Sequence, residues 1–208
     1  MRFFLLWIAI GAVLALSGCK SDGGAKSTAT SPIPSASAIV GDLLTAASDL
    51  TGCKLDIEGS QYVNYYSRSF SCDDGIRLTN DVGFLASLDD ARTWQSNNWG
   101  TRDAANDIIK PALATRPIDP NSVKVEDLSK TAPKLGADDE NLYCSSYSDP
   151  SGTQRVSQYW GAYRYKASVV QYSASAVDGG ACALGSRTHE AARTLATTQL
   201  VKLKTKLP

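Results

Sequence analysis

Two rhythms of apolar and polar positions run through the chain. Cys53-Lys54-Leu55-Asp56-Ile57 alternates with period two, Glu58-Gly59-Ser60 has turn chemistry, and residues 62–72 are rich in aromatic and small side chains. Asp73-Asp74-Gly75 is a hairpin signal ahead of Ile76-Arg77-Leu78-Thr79, so this stretch reads as an antiparallel meander. The second half repeats the pattern: residues 142–147 predict a strand, and Asp149-Pro150-Ser151-Gly152 suits a type I turn. Residues 153–160 and 162–176 predict further strands on either side of Gly161, before the Asp178-Gly179-Gly180 loop. Helical spacing appears in four places. Ile39, Leu43, Ala46 or Ala47, and Leu50 predict a helix over 38–50, with Gly52 as its stop. Residues 88–94 predict one with Ser87 as N-cap and Asp89 and Asp90 in its first turn. Residues 101–114 predict one that Pro111 bends or ends, and residues 187–207 form an amphipathic helix through Ala192, Leu195, Ala196, Gln199, Leu200 and Leu203. Between them, residues 115–139 are a long connection interrupted by proline, with Val123-Lys124-Val125 as a short edge strand. The expected fold class is α+β: one domain, an antiparallel sheet and flanking helices. Each half reads as strands, a cysteine pair and a helix, the outline of a degenerate duplication.

The start of the chain follows neither rhythm. Arg2 precedes the uncharged apolar run 3–16, which suits a secretory h-region and is short of the roughly 20 residues a spanning helix needs. Leu16-Ser17-Gly18-Cys19 then ends the run, and Lys20-Ser21-Asp22-Gly23-Gly24 breaks it off. This leader resembles a bacterial lipoprotein signal peptide, with Leu16 to Cys19 as its lipobox. The resemblance implies cleavage before Cys19, a thioether-linked diacylglycerol on its sulfur and often a third acyl chain on its amine. Two or three chains anchor a protein stably, where a single one does not. The expected organisation is a signal peptide at 1–18, a Gly/Ser/Pro-containing tether at 19–37 and a globular domain at 38–208. The expected location is the bacterial cell envelope, facing the periplasm or exterior. The Ala181-Cys182-Ala183-Leu184 segment and the alanine-rich helix after it resemble small disulfide-containing surface lipoproteins of unknown function.

Composition narrows this further. Without Arg2 the chain keeps 20 basic and 21 acidic side chains, so no global field favours nucleic acid. With Cys19 assigned to lipid, Cys53, Cys72, Cys144 and Cys182 remain. In an exported chain they suggest two disulfides, and their order and the hairpin signals favour Cys53–Cys72 and Cys144–Cys182. Closing those loops contributes roughly 3–4 kcal/mol each on the chain-entropy model. No Cys-x-x-Cys pair exists and His189 is the sole histidine, so no metal or other cofactor is expected.

His189-Glu190-Ala191-Ala192-Arg193 lacks the second histidine of a zinc protease helix, and His189 is expected to face solvent in a first helical turn. Asp73-Asp74 and Asp89-Asp90 read as turn and helix-end chemistry, and Asp138-Asp139-Glu140 as a solvated loop. The aromatic side chains are the candidate binding residues. On one strand Tyr159, Tyr163 and Tyr165 share a side with Gly161, while Trp160, Arg164 and Lys166 share the other. A tyrosine row could stack on sugars or pack on a partner, but a half-buried strand with a tyrosine core face accounts for it more simply. Trp94 and Trp99 flank Asn97-Asn98 at a helix end. The functional expectation is a non-enzymatic envelope module for a protein or polysaccharide partner, held to the bilayer through acylated Cys19. The alternatives are an envelope hydrolase working through carboxylates, and an inhibitor or sensor domain presenting the 115–139 loop.

Overall fold

A computed structural model describes residues 41–62, 64–100, 103 and 105–207; the leader, Cys19 and the tether lie outside the described residues. The period-two segments form seven strands: β1 (Cys53–Tyr62), β2 (Tyr65–Cys72), β3 (Arg77–Phe84), β4 (Lys124–Asp127), β5 (Asp139–Ser148), β6 (Arg155–Tyr165) and β7 (Ser168–Val177). They make one sheet in the order β1-β2-β3-β7-β6-β5-β4, antiparallel throughout. The α-helices lying wholly within the described residues are α1 (Leu88–Gln95), α2 (Lys110–Ala114) and α3 (Arg187–Lys206). The α+β class and both disulfides, Cys53–Cys72 and Cys144–Cys182, are as the sequence predicts.

Several boundaries differ, each for a tertiary reason. Glu58-Gly59-Ser60 is strand rather than turn: the Arg68 guanidinium on β2 holds the Glu58 carboxylate at 2.7 Å, and the chain reverses at Asn64, where φ is 71°. Asparagine tolerates that left-handed conformation. Nor does Gly161 divide two strands, because β6 runs straight through it and the turn falls at Lys166, with φ 52°. The glycine answers a different need. Tyr172, paired with it on β7, lays its ring across it, and a Cβ there would sit 2.0 Å from the ring.

The helix expected over 38–50 does not continue through Leu50. Residues 41–43 are helical, and only a single 3-10 turn follows at Ala47–Asp49. Gln199 of α3 takes the backbone groups in between: it donates to the Leu43 carbonyl (2.6 Å) and accepts from the Thr45 N–H (2.9 Å). By contrast, α1 starts as predicted on Ser87, whose hydroxyl accepts the Asp90 N–H. It runs on into a wide turn at Ser96–Gly100. Where one helix was expected over 101–114, a wide turn at Ala105–Ile109 gives way to α2, with Pro111 in its first turn. A missing N–H costs nothing there.

On one face of the sheet, α3 lays Ala192, Leu195, Ala196, Leu200 and Leu203 over Leu78, Val82, Tyr159, Tyr163 and Val170. On the other, Trp99, Ile109 and Leu113 cover Tyr143, Tyr147 and Ala162. That second core sits over β5 and β6. A twofold axis normal to the sheet would exchange β3 with β7 and keep both following helices on one side. Since α1 and α3 pack on opposite faces, the likeness between the halves stops at strand order.

The 115–139 connection is fastened to the sheet. It includes β4, the short edge strand predicted, and beyond it Leu128 is buried and donates to the Leu142 carbonyl at 2.8 Å. Glu140 accepts from the backbone of Leu135 and Ala137. The connection is thus held along the sheet edge by β4, Leu128 and Glu140.

Candidate binding face

On the face opposite α3, the covering ends at α1. Tyr65, Ser67, Ser69 and Ser71 of β2, Arg77, Thr79 and Asp81 of β3, and Gln171, Ser173 and Ser175 of β7 all point to this side, because alternate residues of a strand share a face. Register aligns them in rows. Ser67 lies opposite Asp81, which lies opposite Gln171; Ser69 lies opposite Thr79, which lies opposite Ser173. Most of these side chains are half-buried, and among the described residues no helix lies over them.

Asp81 is half-buried in this floor. Burial pushes its carboxyl above the usual range, and the Ser67 hydroxyl draws it only partly back. Among the described residues no cation pairs with it. Beside it the Tyr65 ring crosses Gly83, where a Cβ would lie 2.6 Å away. Burial raises the Tyr65 hydroxyl to about 12, with the Trp94 indole nearby but closing no hydrogen bond of ordinary geometry.

The six aromatic candidates divide between the faces. Tyr159 and Tyr163 are fully buried beneath α3, where Tyr159 donates to the Ala183 carbonyl (2.7 Å) and Tyr163 to that of Ala196 (3.2 Å). Tyr165 is half-buried at the margin of the same core, with the Lys166 ammonium 5.6 Å from its ring centre. Trp99 is buried in the second core. Only Trp94 and Trp160 are half-exposed on the open side, at its border with the second core. Trp160 donates to the Ser145 hydroxyl (2.8 Å), and the Arg116 guanidinium lies 5.8 Å from its ring centre.

Two other expectations are corrected. His189 does not face solvent. It is 3% exposed, stands edge-on to Tyr159 and accepts the Gly185 N–H at Nδ1. Residues 138–140 are not a solvated loop either: Asp138 and Asp139 both pair with buried Arg164 at 2.8 Å, and Glu140 binds backbone. A cleft does bring Ser129, Glu140 and His189 together, but it encloses only about 20 Å³, room for about one water. Ser129 is tied to the Leu142 backbone, and His189 Nδ1 meets both the Gly185 N–H at 3.0 Å and the Glu190 carboxylate at 3.2 Å.

The serines of β2 and β7 were not singled out from sequence. The available signal was their period of two, Ser67-Ser69-Ser71 and Ser173-Ser175, which on a strand places them on one side. Among the described residues no cluster of three or more histidine, cysteine, aspartate or glutamate side chains could hold a metal. No described helix is long and apolar enough to cross a membrane. Comparison with protein-family models and with curated proteins found no match.

Proposed function

We propose that this chain is a lipid-anchored lipoprotein of the bacterial envelope. In this reading it is a non-catalytic module that binds an envelope protein or polysaccharide on the open half of its sheet. The cysteine pairing carries the proposal. Of five cysteines, four are joined in two disulfides, which suits an exported chain, and the fifth is Cys19, at the end of the lipobox-like segment. Residues 43–50, which join the preceding chain to the domain, pack on the α3 side. The open half-face therefore lies on the opposite side of the sheet from residues 43–50.

Intact mass of membrane-extracted protein tests this directly. The expected mass is that of an acylated chain beginning at Cys19, with four thiols appearing only after reduction. Cys19→Ser is expected to move the protein from the membrane to the soluble fraction without altering its unfolding midpoint. Membrane retention of that variant would overturn the lipid anchor.

A further inference from the structure

We infer that the open half-face binds an uncharged polysaccharide strand laid over β2, β3 and β7, an inference that rests on the binding-module reading above. The floor's chemistry chooses the occupant. Ser67, Ser69, Thr79, Gln171 and Ser173 present hydroxyl and amide groups that both donate and accept, as sugar hydroxyls do. Three strands at ~4.8 Å spacing make a floor roughly 10 Å wide, which matches an extended chain rather than a small molecule. At its border stand the two half-exposed indoles, Trp94 and Trp160, placed to stack on the apolar faces of sugar rings. Charge is confined to few positions: Asp81 is half-buried between Ser67 and Gln171, and Asp56 at the β1 edge is hydrogen-bonded to Ser71. That leaves Lys54 and Arg77, both exposed in the row through Ser71 at one end. A protein partner would need buried apolar anchors. The serine and threonine rows carry none; Tyr65 lies at one end of the floor, and the exposed Ile57, beside Ser69, and Val177 lie at its margins.

The test uses mature, acylated protein in detergent, titrated with neutral cello-, chito- and malto-oligosaccharides and followed by tryptophan fluorescence. Saturable quenching by at least one series is expected. Trp160→Ala and Trp94→Ala should each weaken it about tenfold or more, and Ser69→Ala/Ser173→Ala about threefold. Val201→Ala, on the exposed side of α3, should bind as wild type does. Trp160→Phe keeps an aromatic face and guards against simple misfolding: it should retain most of the affinity. In parallel, a benzophenone side chain replacing Ser173 is photoactivated in cells. Absence of oligosaccharide binding together with a cross-linked protein would overturn the polysaccharide and leave the binding module standing. Absence of both would overturn the two readings together. Binding unaffected by the tryptophan and serine substitutions would overturn the site.

Discussion

The two faces of this sheet solve the same problem differently. Beneath α3 nearly every position is either apolar and buried or polar with a named partner, down to Gln199, which bonds Leu43, Thr45 and Asn80. The opposite face is closed over β5 and β6 and left polar over β1, β2, β3 and β7. Each face contains one tyrosine lying over a cross-strand glycine: Tyr172 over Gly161 on the closed side, Tyr65 over Gly83 on the other. Each side also has a telling aspartate. Asp178, beside α3, accepts from Ser157, Gly180 and Thr188. Asp81, half-buried, has only the Ser67 hydroxyl drawing its carboxyl back down. A closed face is fixed by packing and satisfied hydrogen bonds, whereas an open one keeps groups that a ligand could still satisfy.

The largest expected effect comes from the disulfide that ties the closed side together. Cys144→Ala/Cys182→Ala should lose about 4 kcal/mol in denaturant unfolding, and Cys53→Ala/Cys72→Ala about 3 kcal/mol, because the first closes the longer loop. Both disulfides lie on the α3 side, so equal losses would show that loop length does not set their contributions. Next, Gly161→Ala should cost about 3 kcal/mol, since the Tyr172 ring is hemmed in by Tyr163 and the α3 core. Gly83→Ala should cost only about 1 kcal/mol, because Tyr65 can swing toward the uncovered side. Reversal of that order would show that the second face is as tightly packed as the first.

The aspartates give the smallest effects and opposite signs. For Asp178, burial alone would raise the carboxyl, but bonds from Ser157, Thr188 and Gly180 outweigh it and hold it below its ordinary value. Its contribution is therefore present above the unfolded carboxyl range and is lost as pH falls through the lower folded value. Asp178→Asn should cost about 1 kcal/mol near neutrality, held down by solvent screening, and nothing in strong acid. Asp81 has a raised folded value, so a penalty appears as pH rises through it. Asp81→Asn should gain about 0.5 kcal/mol at pH 7, with the gain vanishing below pH ~4. Unfolding midpoints measured across pH 3–8 check both.

Local chemistry made much of this fold legible. Ser87 caps its helix, and Asp74-Gly75 turns its hairpin with the Asp74 carboxylate on the Ile76 N–H. The Asp149 turn closes as its backbone carbonyl accepts the Gly152 N–H. The readings that moved were those where a distant residue outbid a neighbour: Gln199 interrupting the first helix, Arg68 extending Glu58, Arg164 gathering Asp138 and Asp139. Of the candidate site, the two outward tryptophans were named, but the hydroxyl floor beside them was not.

The sequence by itself determined the alternation that makes strands, the periodicity of α3, the Ser87 cap, and that four cysteines beyond Cys19 are there to pair, because each depends on residues close in the chain or on counting; it favoured the observed pairing without fixing it. Only the tertiary structure decided that β3 and β7 lie side by side, which rows of serine, threonine and aspartate therefore align, and which face stays uncovered. Those depend on contacts between residues far apart in sequence, where competing partners differ by less than the free energy of one well-packed helix.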